Sequence, residues 1–233
     1  MSITRVVRSA VPLSILLLAV AVQPLAGCAM SSITAKRAQS VVEPHVDGTA
    51  LEVISRNGAV EIAVDPSLRE VLIEANFRAS GNTIEEAEAR VASMSIRTER
   101  AGGRLVVAPA ITGNWHPNDQ CSFTIRLPQV SGVSVDTKNG AITLEGTAGP
   151  ALLVTSNGAI TVSSHTGPLD LETSNGAVSV TDATDRVEVS TSNGSVRLSL
   201  ADAAPGPVNV ESSNGSVTLS VGPAFAAAFS LRT

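Results

Sequence analysis

The chain has 233 residues, 43% of them hydrophobic, and a formal net charge of −5. Only 2% are aromatic, with four Phe, one Trp and no Tyr, so a core must be filled by aliphatic side chains. The acidic balance argues against nucleic acid, which needs clustered Lys and Arg, and against electrostatic binding to anionic lipid heads.

Residues 1–27 carry Arg5 and Arg8, then an apolar run from Val11 to Ala26. A basic n-region before a short apolar h-region reads as a secretory signal. The run is interrupted by Pro12, Gln23 and Pro24 and falls short of the roughly 20 residues of a spanning helix. The stretch Leu25-Ala26-Gly27-Cys28 resembles the bacterial lipoprotein signal. That resemblance implies that Cys28 becomes the first mature residue and carries lipid, which would anchor the protein to a membrane. Ala29, rather than Asp, follows Cys28, which by the same resemblance favours the outer membrane of the cell envelope. Residues 28–48 show no sustained period and read as a tether, with a strand beginning near Val41 and Val42.

The β-repeat domain is then expected over 49–233. A first "RNGAV" motif centres on Asn57. An irregular segment over 66–128 follows. Glu70–Phe77 reads as a strand, and Thr83 with Glu86 forms a capping box that opens a short helix to about Val91. Met94–Thr98 and Arg104–Ala108, joined through Gly102 and Gly103, read as a hairpin, and Cys121–Pro128 as a strand leading back into the repeats. The helix is placed to cover an open sheet end. Between them, residues 114–121 gather Trp115, His116, Asp119 and Cys121. A Cys–His nucleophile or a sugar-stacking Trp is conceivable there, against the simpler reading of a polar loop with Trp115 half-packed. Trp115 and His116 are the candidate ligand-loop residues. With Cys28 lipidated, Cys121 has no intrachain partner for a disulfide.

Regular repeats are expected over 129–221. Asn139, Asn157, Asn175, Asn193 and Asn214 each precede a Gly, at intervals of 18, 18, 18 and 21. Six and four residues before each Asn, and three and five after it, stand Val, Leu, Ile or Ala. Alternation at period two means strands with one buried face. Each unit is therefore strand, Asn-Gly turn, strand, second turn. Asn-Gly suits a left-handed turn, and two architectures use it. One is a parallel β-solenoid, in which each turn stacks on the next and Asn57, Asn139, Asn157, Asn175, Asn193 and Asn214 form a ladder. The other is an antiparallel meander or sandwich with Asn-Gly hairpins. The identity of the repeated turns and the small aliphatic core favour the solenoid. A single unit cannot cover its own apolar face, which is why the copies come in series. Neither the six-residue apolar period of acyltransferase coils nor a calcium β-roll motif is present, and no metal or cofactor is expected.

The "SNG" copies, the Ser122–Pro128 strand and the helix-plus-hairpin before it resemble the bacterial "putative adhesin" family of unknown function. The resemblance covers most of 49–225 and implies a β-helix-like domain at the envelope, with no catalytic residues to carry over. The expected function is a non-catalytic scaffold or binding module whose partner is a glycan or an envelope protein. The alternative is a polysaccharide- or peptide-acting enzyme using the Trp115–Cys121 loop.

Overall fold

The computed structural model describes residues 32–201 and 206–232. The expected signal peptide, Cys28 and the start of the expected tether lie outside the described residues. The strands are β1 (Ile33–Pro44), β2 (Ala50–Ile54), β3 (Val60–Val64) and β4 (Glu70–Gly81), followed by helix α1 (Ile84–Ala92). Next come β5 (Met94–Ala101), β6 (Arg104–Ile111), β7 (Gln120–Leu127), β8 (Val133–Thr137), β9 (Ile142–Glu145) and β10 (Ala151–Thr155). The series closes with β11 (Ile160–His165), β12 (Leu169–Thr173), β13 (Val178–Ala183), β14 (Val187–Thr191) and β15 (Val196–Leu200). After these come β16 (Val208–Ser212), β17 (Val217–Ser220) and β18 (Phe229–Arg232).

They form two nine-stranded sheets that face each other. The first runs β1-β4-β7-β3-β9-β11-β13-β15-β17 and the second β18-β16-β14-β12-β10-β8-β2-β6-β5. Each repeat sends its first strand to the second sheet and its next strand to the first. Every strand then pairs in parallel with its equivalent one unit later, as Ile160 with Val178 and Leu169 with Val187. This is the parallel β-solenoid, not the meander. Its core is two rows of aliphatic side chains per sheet, including Ile142, Leu144, Leu153, Ile160 and Leu198, all fully buried.

The Asn57 motif is far off in sequence but not in space. β2 and β3 stack directly on β8 and β9. The segment between them is an excursion. It builds a further coil, β6 and β7, on the other side of β2 and β3, and then an end layer of different character. There β4 runs antiparallel to β7, β1 antiparallel to β4, and β5 antiparallel to β6. Helix α1 packs against β4 and β1 through Ala87 and Val91. Thr83 Oγ1 accepts from Glu86 N at 3.2 Å, as a capping box requires, while the Glu86 carboxylate accepts from Asn82 N, one residue before the cap, at 2.8 Å.

The tether expected over 28–48 is corrected. From Ile33 to Pro44 this segment is a 12-residue strand at the end of the first sheet, so the domain begins near residue 33. Its inward positions are mostly polar, which hid the strand from a hydrophobicity reading. Those side chains face the outermost strand of the other sheet. Gln39 Oε1 accepts from Ile96 N at 3.1 Å, Glu43 Oε1 accepts from Thr98 Oγ1 at 2.6 Å, and Arg37 reaches the Val91 and Met94 carbonyls.

Candidate functional site

The Asn-Gly turns form one edge of the solenoid. Asn139 Nδ2 donates to Asn57 Oδ1 at 2.6 Å. Asn157, Asn175 and Asn193 each donate to the preceding Asn at 2.8 Å, and Asn214 to Asn193 at 3.1 Å. The six side chains thus make one continuous amide ladder along the surface, solvent-exposed from Asn139 to Asn214.

The glycines explain the other half of the motif, and differently from the expectation. Gly140, Gly158, Gly176, Gly194 and Gly215 are not in the left-handed region. Instead a Cβ on Gly176 would lie 1.7 Å from the Gly158 carbonyl oxygen, and one on Gly194 1.8 Å from that of Gly176. Glycine is required by stacking, because each turn rests on the backbone of the turn below. Just inside stands a column of buried hydroxyls, Thr155, Thr173 and Ser212 among them. Thr155 Oγ1 donates to Gly140 O and Thr173 Oγ1 to Gly158 O, both at 3.0 Å, and Ser212 Oγ to Gly194 O at 3.3 Å. Their position two residues before each Asn was a signal available in the sequence.

The outward face of the first sheet continues this polar surface. Thr143, Thr161 and Ser179 are in register on β9, β11 and β13, as are Ser163, Thr181, Ser199 and Ser220 on β11 to β17. Neighbouring strands are about 4.8 Å apart, so hydroxyls recur at that step. The outward face of the second sheet is charged instead. Asp170, Glu172, Glu188 and Glu211 stand on successive strands, with Arg186 bridging Asp170 at 2.8 Å and Glu188 at 2.7 Å.

The 112–119 loop occupies, in the β6–β7 coil, the place where the next Asn-Gly turn would stand. It is welded to the ladder: Asn57 Nδ2 donates to the Pro117 and Asp119 carbonyls, both at 3.0 Å. Asp119 is fully buried, pairs with Arg90 of α1, and accepts from His116 N at 2.8 Å. Trp115 packs partly against the core and His116 is exposed. Cys121 points inward from β7 and is buried, and burial pushes its thiol up to about 12. A thiol held neutral in the core is no partner for an exposed His116, so the Cys–His nucleophile does not form. Cys121 is free among the described residues.

At the opposite edge, Gly146, Ser164 and Asp182 stand 18 residues apart with φ of 65°, 53° and 56°. This left-handed step turns the next residue inward in each coil, giving buried Thr147, His165 and Ala183. His165 Nδ1 lies 2.8 Å from Thr147 Oγ1, while its Nε2 has no protein partner. Burial lowers its pKa. The gap beside His45, Leu51 and Arg100 is about 10 Å³, room for at most one water, whereas polar grooves of about 310 and 400 Å³ lie over β14, β16 and β18 beside Glu211 and Arg232. Among the described residues no three His, Cys, Asp or Glu side chains gather as a metal site.

Comparison with known proteins adds a family. Among curated proteins none matches the chain. Solved structures similar to it include a "putative cell adhesion protein" from Clostridium sporogenes ATCC 15579. It is 15% identical, with a TM-score of 0.35, over 81% of this chain and 100% of that one. A "putative adhesin" from Bacteroides fragilis NCTC 9343 is 12% identical, with a TM-score of 0.35, over 88% and 99%. A "putative lipid binding protein" from Parabacteroides distasonis ATCC 8503 is 8% identical, with a TM-score of 0.27, over 84% and 96%. The family model described as Toastrack DUF4097 matches residues 29–228. This span contains every strand from β1 to β17, the Asn ladder and the capped end, and the chain belongs to the Toastrack DUF4097 family.

Proposed function

We propose that the protein is a lipid-anchored envelope binding module without catalytic activity, and that its ligand is a neutral, hydroxyl-rich polymer of the glycan class. The observation that carries the reading is the contrast between the two outer faces. One carries rows of Ser and Thr hydroxyls, bounded by Glu61, Glu145 and Arg197, beside the exposed Asn amides, and the other is mainly acidic and laced with ion pairs. A rigid array of donors and acceptors at a constant step matches a polymer whose own hydroxyls recur along an extended chain. Each such hydrogen bond contributes about 0.5–1.5 kcal/mol, so affinity comes from their number. Anchoring through Cys28, with the outer membrane as the destination, rests on the lipoprotein-like signal. Only residues 29–32 separate Cys28 from β1, a reach of about 18 Å at full extension. The capped end of the solenoid would then stand next to the bilayer.

The test is binding of the purified protein to polysaccharide extracted from its own envelope. Thr161→Arg with Thr181→Arg should abolish binding while leaving the circular-dichroism spectrum unchanged, because both side chains are exposed. Trp115→Ala with His116→Ala should leave it intact. The reverse pattern would move the site to the loop. Cys28→Ser should release the protein from the membrane fraction; a mutant that stays membrane-bound and is still cleaved before residue 28 would refute the anchor.

A further inference from the structure

The solenoid ends differently at its two limits. At the N-terminal limit, antiparallel strands, α1 and the inward charges of Arg37 and Glu43 close the stack. At the C-terminal limit, among the described residues, β17 and β18 each have one neighbour. The core columns run straight into this end. Phe229 and Leu231 continue the column positions of Val208 and Val210. Val208 and Val210 are 0% and 1% exposed, whereas Phe229 is 62% and Leu231 41% exposed. Val217 and Leu219 likewise follow buried Val196 and Leu198 but are only half-buried. From Ser212 to Leu231 no residue is charged, and Arg232, at the rim, pairs with Glu211 at 3.3 Å.

We propose that two copies of this chain associate end to end through β17 and β18 of each, across a two-fold axis. Three observations select a second copy placed in this way. First, the capped end offers no apolar columns to match, because inward positions of its edge strand β1 are held by Arg37, Gln39 and Glu43. A head-to-tail chain of copies is therefore blocked, and the closed two-fold arrangement remains. Second, a two-fold axis across the stack sets the meeting edges antiparallel, the pairing that already closes the other end. Two molecules of net charge −5 can approach here because the contacting stretch carries no charge. Third, the size fits. Sheets about 10 Å apart, with strands of about 17 Å plus turns and side chains, give a cross-section of roughly 600 Å². Two ends would bury about 1,200 Å², the lower bound of stable interfaces, which suits a reversible dimer. Resting on the proposed Cys28 anchor, such a pair carries its two anchors at opposite ends, the arrangement that joins two facing membranes.

Sedimentation equilibrium of the full chain in detergent micelles, across the micromolar range, tests the pairing without reference to any ligand. The expected result is a monomer–dimer equilibrium. Phe229→Asp with Leu231→Asp should weaken it by at least about tenfold, because two charges then face their copies across the axis. In the unmodified chain, hydrogen exchange of the amides at 217–220 and 229–232 should slow as concentration rises. A chain that is monomeric throughout, that grows beyond the dimer, or whose dimer is indifferent to both substitutions overturns the proposal. So does concentration-independent protection of these amides, which would mean that something other than a second copy covers them. None of these results bears on the Cys28→Ser fractionation, so pairing and anchoring fail separately.

Discussion

The coils between Val133 and Ser220 and the excursion between Asp65 and Leu127 close one two-layer core by opposite means. In the coils each residue meets its own equivalent: Asn on Asn, Gly on Gly, Val on Leu or Val. In the excursion the contacts are unique pairs, such as Arg90 with Asp119, Glu43 with Thr98, and Arg37 over the Phe77 ring at 5.3 Å. The difference has a cause. A parallel coil is a template for the next coil, so a stack of identical units has no internal reason to stop. Something non-repeating must end it, and antiparallel strands with inward charges do so at one limit. Stability in the coils is therefore distributed along columns, whereas in the excursion it is concentrated in a few groups.

The comparison breaks most visibly at Arg90. Arg90→Ala leaves the fully buried Asp119 without its cation, and the loss of one partner of a buried pair costs about 3–5 kcal/mol. A urea midpoint within error of the unmodified chain would show that the pair is not what holds the 112–119 loop. Next comes Gly176→Ala in the coils. The added Cβ meets backbone 1.7 Å away, and because the column continues on both sides neither turn can yield. Overpacking of this kind costs about 3 kcal/mol. Gly102→Ala, in the β5–β6 hairpin, meets nothing within 4 Å but has φ of 58°, so it should cost only about 1–2 kcal/mol. Equal losses at the two glycines would mean that stacking is not the constraint on the repeats.

The same contrast explains what was legible in the sequence. The coils were readable because self-pairing writes itself as a period: the 18-residue spacing placed the strands and turns, and the identity of the turns with the small aliphatic core favoured the solenoid and its ladder over the meander. The helix and hairpin were readable through local chemistry, the Thr83–Glu86 box and the Gly102–Gly103 turn. β1 was not, because its inward face is mostly polar and the partners of that face lie on β5 and α1, more than 50 residues away. The stacking of the Asn57 coil on the Asn139 coil, 82 positions on, was legible only through the recurrence of the Asn-Gly motif, since the 18-residue spacing does not reach it. Of the candidate loop, composition gave the residues but not their orientation. Cys121 and Asp119 point in and His116 points out, which depends on strand register at β7.

His165 sharpens the comparison within the coils, because it is a single titratable side chain in an otherwise apolar and hydroxyl-lined column. Burial holds its pKa below the ordinary histidine value, outweighing the nearby backbone of Gly149 and Pro168 and the charge of Asp185, which act the other way. The unfolded chain therefore binds a proton more readily than the folded one. Stability should be full above about pH 6.5 and fall as the pH drops from there toward the folded-state pKa. Urea midpoints at about pH 7.5 and 5.5 should differ, and His165→Gln should reduce that difference. A variant with the same pH slope as the unmodified chain would assign the slope to the carboxylates.

The smallest effects belong to the Asn ladder, because it lies in solvent. Asn175→Asp removes the Nδ2 that donates to Asn157 Oδ1 and sets a carboxylate oxygen against that acceptor, while its other oxygen can still accept from Asn193. Water can solvate both groups, so the loss is near the net value of one hydrogen bond, about 1 kcal/mol, and not that of a buried orphan. Asn214→Asp alters the last described rung, where the amide only donates to Asn193 and no following Asn donates to it. It should cost less, by a few tenths of a kcal/mol given that neighbouring half-buried side chains leave the turn free to shift. Lowering the pH to about 4 protonates part of the new carboxylate, restores a donor, and should narrow the gap between Asn175→Asp and the unmodified chain. Double-mutant cycles between Asn157→Ala and Asn175→Ala give the same quantity without charge. A coupling energy indistinguishable from zero there would reduce the ladder to a consequence of stacked turns, leaving the glycine column as the feature that fixes the edge.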